Sequence, residues 1–196
     1  MSEATAARVG ILGGTFNPIH IGHLILASDA IWKLSLDKVI FVPAYLPPHK
    51  SVEDATSAGD RLAMVRLAIA DNRHFEASSI EIDAKKKSYS IDTLKAFKSA
   101  YGAAARLFFL TGSDSLKDLF SWKDVGEIFK ISQFVVAPRP GYPVENVPEE
   151  VETVVITPIE VSSMDIRRRI KEGRSIRYLV PEDVRRYIIE KKLYTA

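Results

Sequence analysis

The sequence predicts an α/β fold: a doubly wound parallel sheet with a small C-terminal helical subdomain. Two observations carry this. Short runs of continuous apolar residues, each closed by glycine or proline, recur along the first 160 positions and alternate with stretches of helical apolar spacing. A strand apolar on both faces is covered on both faces, and its alternation with helices is the pattern of a parallel sheet between two helical layers. Beyond position 160 the strand runs stop and only helical patterns remain.

The elements follow in order. Val9 to Leu12 reads as a buried strand ending at Gly13-Gly14. From Ile21 to Leu34, the positions of Leu24, Ile25, Ala27, Ile31 and Leu34 predict a helix. Val39 to Val42 is a second strand, and Pro47-Pro48 makes 43–57 a loop. Asp60 to Ala70 reads as a helix, Phe75 to Ile82 as short extended structure, and Ile91 to Ala100 as a helix. Leu107 to Leu110, Phe134 to Ala137 and Val154 to Ile156 complete the strands. The segment from Gly141 to Val151, with Pro143 and Pro148, reads as a flexible connection. Met164 to Glu172 and Pro181 to Lys191 are the last helices, with Pro181 at a helix start. Residues 1–160 form the predicted core and 161–196 its helical continuation, within one domain.

Composition narrows the chemistry. The chain has 196 residues, 46% hydrophobic and 27% charged, in the normal range for a packed globular protein. With no cysteine, disulfides, zinc-thiolate sites and thiol catalysis are excluded. A formal charge of +2 and no basic stripe argue against a nucleic-acid partner. No apolar run approaches a membrane span, and the N-terminus lacks signal-peptide character. The expectation is a cytoplasmic protein with small-molecule substrates and no membrane partner. A homo-oligomer is compatible with the sequence.

In an open parallel sheet, ligands sit at the carboxyl ends of the strands. The first such segment runs from Gly13 to His23. Two glycines after a strand permit close backbone approach, and the helix that follows favours phosphate at its N-terminus. His20 and His23 are spaced to share a helical face, where both could donate to phosphate oxygens. On spacing alone, phosphate binding, a locally satisfied histidine pair and a metal pair all stand open. The segment is neither a Walker loop nor the dinucleotide fingerprint. The second segment is Val161 to Arg167. Ser162 and Asp165 read as a capping box, and Arg167 could make a forked phosphate contact. A plain helix start with a surface Arg167-Arg168-Arg169 run is the alternative.

These two strings resemble the signatures of the H-x-G-H nucleotidyltransferase superfamily. Gly14, Phe16, Pro18, His20, Gly22 and His23 match the first. Val161, Ser162, Ser163, Ile166 and Arg167 match the second, with Met164 in place of its usual threonine. Pro47-Pro48-His49-Lys50, Ser88-Tyr89-Ser90, Asp92-Thr93-Leu94, Gly112-Ser113-Asp114-Ser115-Leu116, Trp122 and Arg139-Pro140-Gly141 resemble, in order, the bacterial nicotinate-nucleotide adenylyltransferases. The likeness runs from Val9 to Leu193-Tyr194.

The resemblance implies a Rossmann-like core and transfer of AMP from ATP to nicotinate mononucleotide, giving deamido-NAD and pyrophosphate. It implies His20, His23 and Arg167 as the catalytic set. It implies an ATP site of Gly13, Gly14, Thr15, Phe16, His20, His23, Gly112, Asp114, Arg139, Ser162, Ser163 and Arg167. It implies an acceptor site of Thr15, His49, Lys50, Tyr89, Ser90, Asp114 and Trp122. Mg²⁺ arrives with ATP, and no dedicated protein metal site is expected. On the residues alone, Lys50 could equally be solvated, and Trp122 could be a core side chain rather than a platform for a pyridine ring. The Lys85-Lys86-Lys87 run reads as a solvated edge. Three alternatives stand beside this reading: phosphopantetheine adenylylation, preference for the amide nicotinamide mononucleotide, and an ATP-binding module without turnover.

Overall fold

The computed structural model describes residues 6–46, 56–138 and 147–195. Six parallel strands form one sheet: β1 (Arg8–Gly14), β2 (Lys38–Pro43), β3 (Phe75–Ala77), β4 (Arg106–Gly112), β5 (Gln133–Ala137) and β6 (Val151–Thr153). Their order across the sheet is β3-β2-β1-β4-β5-β6. The chain thus winds one way from β1 to β3 and the other way from β4 to β6. This is the doubly wound Rossmann order, and the crevice between the carboxyl ends of β1 and β4 is its switch point.

Side chains alternate across the strands and build one core on each face. On one face Leu12, Phe41, Phe108, Leu110 and Val135 meet α1 (Ile21–Lys33) and α2 (Ala58–Ile69) through Leu26, Ala27, Ala30, Met64 and Val65. The same cluster takes in Ile166 of α6 (Ser163–Lys171) and Val184 and Ile188 of α7 (Glu182–Glu190). On the other face Val9, Ile11, Ile40, Val42, Leu107 and Phe109 meet α4 (Ser90–Tyr101) and α5 (Val125–Ile131) through Ile91, Leu94, Phe97 and Ile128.

Several boundaries differ from the sequence expectation. The last strand is Val151–Thr153, not Val154–Ile156; Val155 is exposed, while Val154 is buried and Ile156 packs half-buried against the core. An edge strand pairs on one side only, so its apolar content is a weak signal. The extended segment expected to Ile82 stops at Ala77, and Ile80–Asp83 forms a single turn, α3. A 3-10 helix over Ser113–Ser121 and the short α5 were not expected. Pro181 caps α7 rather than forming its first turn. Among the described residues, no helix is long and apolar enough to cross a membrane.

Candidate active site

β1 ends at Gly14, and α1 starts at Ile21, so six residues make the turn between them. Phe16 adopts a left-handed φ of 49°, and its ring packs over Gly14, where an added Cβ would stand 3.0 Å from the ring. The Asn17-Pro18 peptide is cis. His20 then sits at the N-cap of α1 in extended conformation and is buried. Its ring stacks on that of His23 with centroids 3.7 Å apart, and Phe16 meets His23 edge-on at 5.0 Å.

One hydrogen bond fixes the chemistry of His23. The His20 backbone N–H donates to His23 Nδ1 at 3.2 Å. Nδ1 therefore carries a lone pair, and the proton of the neutral ring lies on Nε2, which becomes a donor of fixed direction. The first turn of α1 holds no acidic residue, so nothing there offsets the positive end of the helix. The Ile21 amide is already engaged by the Leu179 carbonyl at 3.0 Å. The polar groups this helix end presents beyond its amides are therefore the two imidazoles. Gly22 makes the stack feasible, because a Cβ there would lie 3.1 Å from Cε1 and Nδ1 of His20.

The second predicted segment comes to the same turn. Ser162 caps α6 by accepting from the Asp165 amide at 3.1 Å. Ser163 Oγ donates to the Pro18 carbonyl at 2.8 Å, and Arg167 Nη1 donates to the Asn17 carbonyl at 2.8 Å. The two motifs, nearly 150 positions apart, are thus stitched together by side chain to backbone bonds. Asp165 does not close the reciprocal capping box. It pairs with Arg169 at 2.8 Å and Arg168 at 2.5 Å, and these bonds, Arg169 first, hold its carboxyl below the ordinary range. Arg168 and Arg169 both serve this pairing with Asp165. Met164 is exposed, so its departure from threonine removes a hydroxyl without disturbing packing.

Across the switch point, Gly112 ends β4 and caps the 3-10 helix whose first turn carries half-buried Asp114. Thr111 Oγ1 and Ser115 Oγ share a hydrogen bond at 2.7 Å. Trp122 leaves that helix half-buried, edge-on to Phe109 at 5.7 Å and to Phe134 at 5.8 Å. It is therefore partly a core residue. Tyr89 is the N-cap of α4 and Ser90 its first residue. Lys123 lies over the Tyr89 ring at 4.7 Å and pairs with Asp92 at 3.5 Å, which places the Trp122–Lys123 corner beside the start of α4. Lys85, Lys86 and Lys87 are exposed. His49, Lys50 and Arg139 lie outside the described residues.

Three residues outside the sequence expectation complete the site's frame. Arg61 of α2 is buried, and burial lowers its pKa. Its Nη1 donates to the Thr15 carbonyl at 2.7 Å. Glu81 is held by Thr93 Oγ1 and Ser88, yet burial dominates and raises its pKa. Tyr194 donates its OH to Asn17 Oδ1 at 2.8 Å, and burial raises its pKa. The signal for Arg61 is in the sequence: it precedes Met64, Val65 and Ala68 by helical steps and so stands in the core stripe of α2.

Comparison with known proteins places this architecture. Residues 11–169 match the family model "Cytidylyltransferase-like". A relative from Desulfitobacterium hafniense, named "Probable nicotinate-nucleotide adenylyltransferase", is 43% identical over 98% of both chains. One of the same name from Exiguobacterium sibiricum is 47% identical over 96% of this chain and 100% of its own. Among solved structures, the Plasmodium falciparum nicotinic acid mononucleotide adenylyltransferase complexed with NaAD superposes with a TM-score of 0.79 at 20% identity, over 96% of this chain and 97% of that one. At that identity the likeness concerns the fold.

Proposed function

We propose a mechanism for a chain that belongs to the nicotinate-nucleotide adenylyltransferase family, within the cytidylyltransferase-like proteins. It transfers AMP from ATP to nicotinate mononucleotide, releasing pyrophosphate and forming deamido-NAD. The acceptor's phosphate oxygen is already ionised at neutral pH, so no general base is required. That oxygen forms a bond to the α-phosphorus of ATP as the bond to the bridging oxygen of pyrophosphate breaks. What the protein must supply is alignment of two anions and stabilisation of charge in flight.

The observation that carries this is the His20–His23 pair at the N-terminus of α1, in the crevice where the strand order reverses. In this reading His23 Nε2–H and the His20 ring donate to ATP phosphate oxygens, and Arg167, with a further edge of its guanidinium, steadies the leaving pyrophosphate. Gly13, Gly14, Thr15 and Phe16 form the turn around the triphosphate, while Ser162 and Ser163 bring up the second helix end. Gly112, Asp114 and Arg139 complete the ATP side, with Asp114 facing ribose hydroxyls. On the acceptor side Thr15, His49 and Lys50 attend the phosphate, Trp122 stacks on the pyridine ring, and Tyr89 and Ser90 at the N-terminus of α4 meet its carboxylate. A helix N-terminus favours the acid over the neutral amide.

Among the described residues, no group of three or more His, Asp or Glu side chains could hold a metal ion. In this reading the ion would enter with ATP. Mg²⁺ carried in this way would screen the phosphate charges. A cytoplasmic site of action belongs to the same proposal. So does the reading of 161–196 as part of one domain, which the shared core of Ile166, Val184 and Ile188 supports.

The test is His20→Ala, assayed by pyrophosphate release with ATP and nicotinate mononucleotide. Losing one preorganised donor lowers kcat roughly 100- to 1,000-fold, while the protein still melts cooperatively. Near-normal turnover from a destabilised variant would make His20 a structural residue and overturn the mechanism.

A further inference from the structure

We infer that Arg61 is a positioning residue: it ties the turn after β1 to the chain just beyond β2 and just before α2, and so aligns the two substrates. This rests on the transferase reading above. Arg61 is 2% exposed, and its guanidinium reaches three separate pieces of main chain. Nη1 donates to the Thr15 carbonyl at 2.7 Å, Nη2 to the Tyr45 carbonyl at 3.2 Å and Nε to the Thr56 carbonyl at 3.3 Å. Thr15 belongs to the phosphate turn and Tyr45 to the loop after β2. Thr56 precedes α2.

The linkage continues toward the acceptor side. The Tyr45 amide donates to Ser88 Oγ at 3.0 Å. Ser88 and Thr93, which bracket Tyr89 and Ser90, both hydrogen-bond to the Glu81 carboxylate. A continuous polar path therefore runs from Thr15 through Arg61, Tyr45, Ser88 and Glu81 to Thr93. One side carries the proposed ATP contacts and the other the proposed nicotinate contacts.

Stability alone does not account for an arginine here. The guanidinium loses its hydration, and its hydrogen-bond partners are carbonyl dipoles. An apolar side chain would pack in the core stripe beside Met64 and Val65 without that penalty. What only arginine supplies is a rigid planar fork that can reach three carbonyls at once. Lysine brings the charge but no fork.

The experiment compares Arg61→Met and Arg61→Lys with the wild-type protein, by steady-state kinetics and by amide hydrogen exchange. Both variants are expected to melt cooperatively. In Arg61→Met, kcat should fall about 10- to 100-fold, the scale of a misplacement near 1 Å. The KM values for ATP and nicotinate mononucleotide should move less, with Arg61→Lys intermediate. Exchange should quicken in peptides covering 13–20, 44–46 and 88–93 and stay unchanged in β4. Wild-type kcat and unchanged loop exchange in Arg61→Met would overturn the inference and leave Arg61 a structural residue. Should Arg61→Met fail to fold, the Arg61→Lys pair of readouts decides. Should the wild-type protein itself transfer nothing, the activity reading fails separately, and the exchange comparison alone decides for or against loop positioning.

Discussion

Gly22 shows how the site sets its own residue types. As the second residue of α1, it would gain helix propensity from a methyl group, by up to about 1 kcal/mol. The methyl carbon would sit 3.1 Å from two atoms of the His20 ring, so that ring must shift by a few tenths of an ångström. Since His20 is stacked on His23 at 3.7 Å, the displacement reaches both imidazoles. Gly22→Ala is expected to keep or raise Tm and to lower kcat about three- to tenfold, a fraction of the penalty for a full ångström of misplacement. Unchanged kcat would show that the ring's position has slack. A lower Tm would show that the clash outweighs the propensity gain. The histidine pair and Gly22 were legible in the sequence, because motif spacing fixes residues that share a short turn; the bonds from Ser163 and Arg167 to the Pro18 and Asn17 carbonyls were not. For Arg61 the place in the core stripe of α2 was legible but its partners were not: its acceptors are carbonyls of Thr15, Tyr45 and Thr56, and no spacing rule identifies a carbonyl partner.

At the scale of elements, legibility followed burial. β1, β2, β4 and β5 lie inside the sheet, and their apolar runs are visible because both faces are covered. β6, at the edge, has Val151 buried but Glu152 and Thr153 exposed, so its sequence reads as loop. The Ile80-Glu81-Ile82-Asp83 stretch alternates like a strand, yet forms a helical turn; Ser79 Oγ bonds Asp83 across it at 2.6 Å. The C-terminal element has a role that its sequence does not announce. After α7 the chain returns Tyr194 to the turn between β1 and α1, where its OH donates to Asn17 Oδ1 at 2.8 Å. Removing the donor in Tyr194→Phe should cost about 1 kcal/mol. The pH dependence has a definite sign. Burial raises the folded phenol above its ordinary value of 10.0, so its contribution is complete below about pH 10 and is lost as pH rises from there toward the folded pKa. Thermal melts should therefore show the wild type losing Tm above pH 10 more steeply than Tyr194→Phe. Parallel curves would remove this phenol from the alkaline transition.

The whole molecule is organised around one reversal of strand order. Helices α1, α2, α6 and α7 back one face of the sheet and α4 and α5 the other, so the β1–β4 crevice gathers contributions from both halves. The two histidines and Arg167 come from opposite ends of the chain, while Gly112, Asp114 and Trp122 come from its middle. No serine elbow, thiol or metal cage is required, because the acceptor brings its own ionised nucleophile and the fold supplies alignment. The most direct measurement of this account is pyrophosphate release from ATP and Mg²⁺, with nicotinate mononucleotide, nicotinamide mononucleotide and phosphopantetheine offered separately. The account predicts release with nicotinate mononucleotide well above release with either alternative. Release only with phosphopantetheine, or none with any acceptor from folded protein that binds ATP, would contradict it.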